Sequence, residues 1–173
     1  MAKFEPKYFS KTLAGFAKEV LPPKVYKQHG IKGLRLMDQR ILEFLDEFRY
    51  DTGVPLIVNT PWDGVFTQSG LRDLDFYGDV DKYFKSLSDH KRGAALDIKC
   101  KNGAHWLRKK FIEKEEYYYN KYGINFVETS PLKGGKDMTW AHFGIRVDFY
   151  GKVVYWSPEL GYISKEVVLE NKY

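Results

Sequence analysis

The hydrophobic positions between residues 34 and 50 recur at steps of three and four, at positions 34, 37, 41, 45 and 48. This spacing places them on one face of an amphipathic helix, which Gly53 would end. A second helix is predicted over "GAHWLRKKFIEKEEYYYNKYG", with Gly123 closing it. The segment before Leu34 is interrupted by prolines and glycines, which indicates a short helix and a loop appended to the main fold.

Five stretches have the composition of β-strands. "VPLIVNT" and "GAALDIKC" are short apolar runs typical of buried strands, and "INFVET" and "KVVYWS" are rich in β-branched and aromatic residues. "WAHFGIRVDFY" alternates, which places His142 and Arg146 on one side of its strand. Residues 61–87 lack clear periodicity and are predicted to form a long loop. Long loops in compact domains are often functional. The order predicts an α+β fold, with a small, mostly antiparallel sheet flanked by helices.

Length and composition predict one folded domain. The chain has 173 residues, 43% of them hydrophobic, which is enough for a sizeable core. We divide it into an N-terminal extension at 1–33, a core at 34–157 and a C-terminal tail at 158–173. Neither an internal repeat nor a low-complexity segment is evident.

Charge and targeting features restrict the partners only loosely. The net charge is +5, but the positive residues are interspersed with acids, so a nucleic-acid arm is not indicated. No signal peptide and no membrane-spanning segment are predicted, so we expect synthesis as a soluble protein in the cytoplasm without a membrane partner. The single cysteine, Cys100, excludes an internal disulfide and a cysteine-based structural zinc site.

The stretch "SDHKRGAALDI" carries candidate chemistry. It places His90 and Asp97 seven positions apart around Gly93, which permits a tight backbone path, and two alanines that leave room beside the chain. Histidine and carboxylate are zinc ligands, and catalytic zinc takes three of them. On these residues alone, a structural hydrogen bond between His90 and Asp97 is the alternative.

A third ligand must come from His29, His105 or His142. His29 lies in the segment interrupted by proline and glycine, and His105 lies near a helix start, where capping or packing is the simpler role. His142 lies in the alternating run, from which a neighbouring strand would aim it at His90 and Asp97.

Together these motifs resemble the zinc peptidases of the D-alanyl-D-alanine carboxypeptidase and L-alanyl-D-glutamate endopeptidase group, which includes phage endolysins and relatives of the Hedgehog zinc domain. The group has the pattern S-x-H-x-x-G-x-A-x-D followed by W-x-H. The matching residues here are Ser88, His90, Gly93, Ala95, Asp97, Trp140 and His142. The similarity covers roughly residues 34–149 and includes "QSGLR" upstream.

The resemblance implies a Hedgehog-type peptidase fold with Zn²⁺ held by His90, Asp97 and His142. It places Arg72 of "QSGLR" near the substrate, with Ser88 and Trp140 also in the substrate site. A guanidinium suits a peptide carboxylate or a developing oxyanion. Without the resemblance, Arg72 is equally well explained by solvent exposure or by an ion pair with Asp73 or Asp75. Three further aromatic residues are candidates for the cleft wall: Trp62, Phe66 and Tyr77. The alternative for each is ordinary packing in the core or a loop.

The proton carrier departs from the group's pattern. Many members have a glutamate three residues before the last histidine, and this chain has Thr139 there. Two acids nearby are substitutes, Asp137 in "GGKDMTW" and Glu128 in "FVETSP". We prefer Asp137 because it lies nearer in sequence to His142.

The resemblance implies a monomeric zinc peptidase that hydrolyses peptidoglycan stem peptides at a D,D- or L,D-bond. Such a protein would be a phage-type lysin or virion-associated enzyme, acting on the cell wall after release or as part of a virion. The lack of a predicted signal peptide fits a cytoplasmic dipeptidase equally well. Thr139 keeps open an alternative function, a non-catalytic phage structural or muropeptide-binding module with the same fold.

Overall fold

A mixed five-stranded sheet organises the computed structural model, which describes residues 4–60, 64, 66–149 and 151–173. The strands lie in the order β1–β3–β2–β4–β5, and the parallel pair is β2 with β4. Antiparallel pairing joins the other neighbours, so the predicted α+β class with a mostly antiparallel sheet is confirmed. The strands are β1 (Ala95–Ile98), β2 (Phe126–Glu128), β3 (Ala141–Gly144), β4 (Val154–Ser157) and β5 (Gly161–Ile163).

Five of the described α-helices precede β1, two lie between β1 and β2, and one follows β5. None of those in the described ranges is both long and apolar enough to cross a bilayer. They are α1 (Leu13–Val20), α2 (Pro23–His29), a 3₁₀ helix (Gly30–Leu36), α3 (Gln39–Thr52), α4 (Leu74–Tyr77), α5 (Val80–Lys85), α6 (Ala104–Ile112), α7 (Glu115–Tyr122) and α8 (Lys165–Glu170).

The core lies between the sheet and the helices α3, α6 and α7. Alternate strand residues face it, among them Leu96, Val127 and Phe143, all fully buried. Phe143 packs with ring centroids 5.0–5.5 Å from three helix residues, Phe44, Phe48 and Phe111. Burying each such ring stabilises the fold by about 1.5–3 kcal/mol. The opposite face of β1, β3 and β2 is therefore the one free to carry polar chemistry.

Several predicted elements differ from the observed ones, and part of the loop predicted over residues 61–87 forms the helices α4 and α5. The "VPLIVNT" run makes only one isolated bridge, between Ile57 and Lys99, because the amide of Asn59 instead bonds Glu19 in the N-terminal segment. The single helix predicted after residue 103 is divided into α6 and α7, and it ends as expected at Gly123, in the left-handed conformation. The predicted tail forms β5 and α8.

The segment before Leu34 is built into the core, not appended to it. Phe16 and Val20 of α1 are fully buried in the same hydrophobic cluster as α3. The carbonyl of Val20 accepts from the amide of Leu71 at 2.9 Å, and a Cβ at Gly70 would lie 2.2 Å from that oxygen. Helix α1 therefore holds the loop at residues 70–72, which positions two groups of the site described below.

Candidate metal centre

The register of the sheet places three functional side chains in one row. His142 on β3 lies directly opposite Asp97 on β1 and also opposite Glu128 on β2. Directly opposed residues have Cβ atoms about 4.5–5.5 Å apart, so their side chains meet on the same face. Their neighbours on these strands point into the core, as alternation requires.

His90 reaches the row from the turn before β1. Its Nδ1 lies 2.7 Å from the carbonyl oxygen of Gly70, in the loop held by α1. A carbonyl only accepts hydrogen bonds, so Nδ1 carries a proton, and in the neutral ring Nε2 presents a lone pair to the site. A backbone carbonyl that fixes the tautomer in this way is a usual companion of a metal-bound histidine.

Three donor atoms converge at one point. His90 Nε2 lies 3.2 Å from Asp97 Oδ1 and 3.1 Å from His142 Nδ1, and His142 Nδ1 lies 2.9 Å from Asp97 Oδ1. All three residues are buried. The ligands of a tetrahedral zinc at about 2.0–2.1 Å are about 3.3 Å apart, close to this spacing. The cluster can hold a metal ion.

The electrostatics of the cluster fit a cation. Burial lowers the pKa of His90, which favours the neutral ring with its free lone pair. Burial alone would raise the pKa of Asp97, but His90 and His142 outweigh it and hold that pKa well below its usual value. His142 Nε2 is buried without a hydrogen-bond partner in the described structure. When Nε2 carries the ring proton, three unprotonated donors face one another, an arrangement that a metal ion stabilises.

Arg72 is anchored to the second oxygen of the same aspartate. Its Nη2 donates to Asp97 Oδ2 at 3.1 Å and its Nε donates to the carbonyl of Gln68 at 3.2 Å. The ion pair with Asp73 or Asp75 that the sequence left open does not form, since Asp73 caps α4 and Asp75 pairs with Lys24. Arg72 Nη1 makes no hydrogen bond to the described residues, so it is available to a substrate.

The structure reverses the preference between the two candidate proton carriers. Glu128 Oε2 lies 4.0 Å from His142 Nδ1, and burial raises the pKa of its carboxyl group. Asp137 is exposed in the loop between β2 and β3, away from the pocket that Glu128 lines. Strand pairing therefore brings Glu128, fourteen positions from His142 in the sequence, closer to it than Asp137, which is only five positions away.

These residues line a pocket of about 320 Å³. Ser88 and Trp140 lie in its wall, as the resemblance implies, whereas Phe66 and Tyr77 do not line it; Trp62 lies outside the described residues. Four wall residues are missing from the sequence-based site: Asp89, Phe126, Arg146 and Trp156. The alternation of Arg146 with His142 is the one signal that points to any of them.

Other sequence-based assignments fall outside this centre. His105 Nδ1 lies 3.4 Å from the backbone oxygen of Tyr173, so it belongs to the packing around α6. Gly93 does adopt the positive φ of 65° that a tight path requires. A Cβ at position 93 would lie 2.4 Å from the carbonyl oxygen of Leu36. Glycine is therefore required there for packing against the 3₁₀ helix, and not to give a metal ion access.

Comparisons of the chain with models of protein families, with curated proteins and with solved structures gave no match.

Proposed function

We propose that this protein is a zinc-dependent peptidase of the Hedgehog and D-Ala-D-Ala peptidase type that hydrolyses peptidoglycan stem peptides. One observation carries the proposal: donor atoms of His90, Asp97 and His142, all buried, lie within 3.2 Å of one another. The carboxylate of Glu128, which makes no hydrogen bond to the described residues, lies opposite His142 on the neighbouring strand. Three histidine and carboxylate ligands are the set that catalytic zinc uses. The S-x-H-x-x-G-x-A-x-D and W-x-H pattern supports the substrate class.

His90 Nε2, Asp97 Oδ1 and His142 Nδ1 would bind the zinc ion. Bound there, zinc would supply a water of lowered pKa and polarise the scissile carbonyl. The remaining chemistry falls to side chains of the pocket.

Glu128 is the group placed to move a proton. Its carboxylate makes no hydrogen bond to the described residues and lines the pocket beside His142. Burial raises its pKa, which suits a base that accepts a proton from the attacking water and returns it to the leaving amine.

Arg72 is placed to stabilise negative charge on the substrate. Asp97 Oδ2 and the Gln68 carbonyl fix its guanidinium, so its free Nη1 is held ready for the oxygen of the scissile carbonyl or for a peptide carboxylate. The basic net charge favours approach to the anionic cell wall. A phage-type lysin or virion-associated enzyme fits these properties.

Hydrolysis of synthetic stem peptides with added zinc tests the proposal. We expect the wild type to cleave them, and Glu128→Gln to lower kcat about 10²- to 10⁴-fold while zinc remains bound. Asp137→Asn, the matched control, should change the rate less than about twofold because its side chain is exposed outside the pocket. A zinc-loaded wild type that binds muropeptide without cleaving it would instead support the non-catalytic module.

A further inference from the structure

Arg146 is a second arginine in the pocket wall, and the mechanism above does not use it. Arg72 is anchored to β1 through Asp97, whereas the Arg146 guanidinium lies over the ring of Phe126 on β2, 3.3 Å from its centroid. Phe126 in turn contacts His142 edge to face, with ring centroids 5.8 Å apart. Since β3 lies between β1 and β2, the two guanidinium groups flank the metal ligands.

The fold holds Arg146 in place from two directions. Its Nε donates to Asp89 Oδ2 at 2.7 Å, and Asp89 is 3% exposed. Its backbone amide donates to Asn125 Oδ1 and its carbonyl accepts from Asn125 Nδ2, both at 2.7 Å. A side chain held this firmly loses little rotamer freedom when a ligand binds.

The outer edge of this guanidinium is unused. Nη1 and Nη2 make no hydrogen bond to any described residue, 32% of the side chain is exposed, and Arg146 is one of the residues that line the pocket. A rigid pair of N–H groups matches the two oxygens of a carboxylate and binds them with parallel hydrogen bonds. Arg92 shares the Asp89 carboxylate but does not line the pocket, so its role is to pair Asp89.

We propose that Arg146 binds a substrate carboxylate, so that the preferred substrates are peptides carrying two carboxylates that flank the metal centre. The inference rests on the proposed peptidase function, and it assigns specificity to a residue that the sequence motifs do not include. A stem pentapeptide has two such groups, the α-carboxylate of its D-isoglutamate and its C-terminal carboxylate.

Binding of three peptides tests the assignment. They are the stem pentapeptide, its D-isoglutamine analogue and its C-terminal amide, titrated by calorimetry with zinc into the Glu128→Gln protein so that no peptide is consumed. We expect at least one amide to bind about 10- to 100-fold more weakly, the effect of losing a charged hydrogen bond. Adding Arg146→Gln should abolish the difference for one amide, whereas Arg92→Gln, the matched control, should keep it.

Zinc content and thermal unfolding establish that each variant is folded. If Arg146→Gln does not fold, Arg146→Lys replaces it, and it should reduce the difference because lysine keeps the charge but not the paired donors. Equal affinity for all three peptides, or differences that all persist without Arg146, would overturn the inference. Hydrolysis by the wild type is measured separately. If the protein discriminates between the peptides but cleaves none of them, the peptidase function is rejected and the role of Arg146 is kept. If it cleaves them without discriminating between them, the peptidase function is kept and the role of Arg146 is rejected.

Discussion

The pocket at the candidate metal centre and a larger groove on the same protein differ in how their polar groups are used. The groove, about 770 Å³, lies between α7 and the strands β4 and β5. Lys165 pairs there with Glu115 at 2.6 Å, and the Tyr119 hydroxyl accepts from the amide of Gly151 at 2.6 Å. Those groups satisfy one another, so they contribute to stability.

The metal pocket has less than half that volume but retains unused bonding capacity. The Glu128 carboxylate and guanidinium nitrogens of Arg72 and Arg146 line it without a hydrogen bond to the described residues, and the lone pairs of His90 Nε2 and Asp97 Oδ1 face each other there. Such groups are costly unless a ligand engages them. Unsatisfied, converging groups therefore identify a chemical site better than the volume of a cavity does.

The largest expected contrast between the two regions comes from substituting one residue in each. We expect His142→Ala to abolish both zinc binding and hydrolysis, because two remaining donors do not make a catalytic site. Tyr162→Ala, in the groove wall, should leave both unchanged within about twofold. Loss of hydrolysis in the groove variant with zinc retained would show that the groove takes part in substrate binding.

Zinc should stabilise the protein through the pocket alone. At a free zinc concentration of about 100 times Kd, binding adds about 2.7 kcal/mol, which raises the Tm of a chain this long by about 5–10 °C. Differential scanning calorimetry with and without zinc measures the shift, and Tyr162→Ala serves as the control that retains it. An equal shift in His142→Ala would place the zinc elsewhere.

The metal-free protein should lose stability as the pH falls from 7 to 5. Burial lowers the pKa of His90 in the folded state, so its contribution is fully present above the ordinary pKa and is lost as the pH falls through the folded pKa. The pKa of His105 is also lowered by burial and adds to the decline. Urea unfolding across this range should therefore show a shallower decline in His90→Asn, and an unchanged decline would contradict the assignment.

The smallest expected effect concerns a satisfied hydrogen bond in the groove. Tyr119→Phe removes the acceptor of the Gly151 amide and should lower the free energy of unfolding by about 1 kcal/mol. Its zinc content and hydrolysis should equal those of the wild type. A Tyr119→Phe protein with normal stability but weakened peptide binding would move the groove from a structural to a functional role.

The sequence was sufficient for the residues whose positions follow from local spacing. The motif around His90 and Asp97 and the alternation around His142 led to the three side chains that the structure brings together. The α+β class followed from the order of periodic segments. The prediction of a strand at "VPLIVNT" was wrong because the amide of Asn59 donates to the carbonyl of Glu19 in the N-terminal segment. Composition does not encode such a long-range hydrogen bond.

The choice between the two candidate proton carriers depends on strand register, which the sequence does not show. Asp137 is nearer to His142 along the chain, but Glu128 is its cross-strand partner. The sequence likewise did not predict that α1 holds the loop at residues 70–72. The prolines and glycines of the first 33 residues indicated an extension instead. Gly70 links that helix to His90, a contact fixed only by tertiary packing.

The most direct test of the account is the metal content of the purified protein, never exposed to chelators, measured by inductively coupled plasma mass spectrometry. We predict close to one zinc ion per chain in the wild type and in Tyr162→Ala, and a loss of zinc in His90→Ala and His142→Ala. A folded wild-type protein that contains no zinc and takes up none at micromolar concentrations would contradict the account.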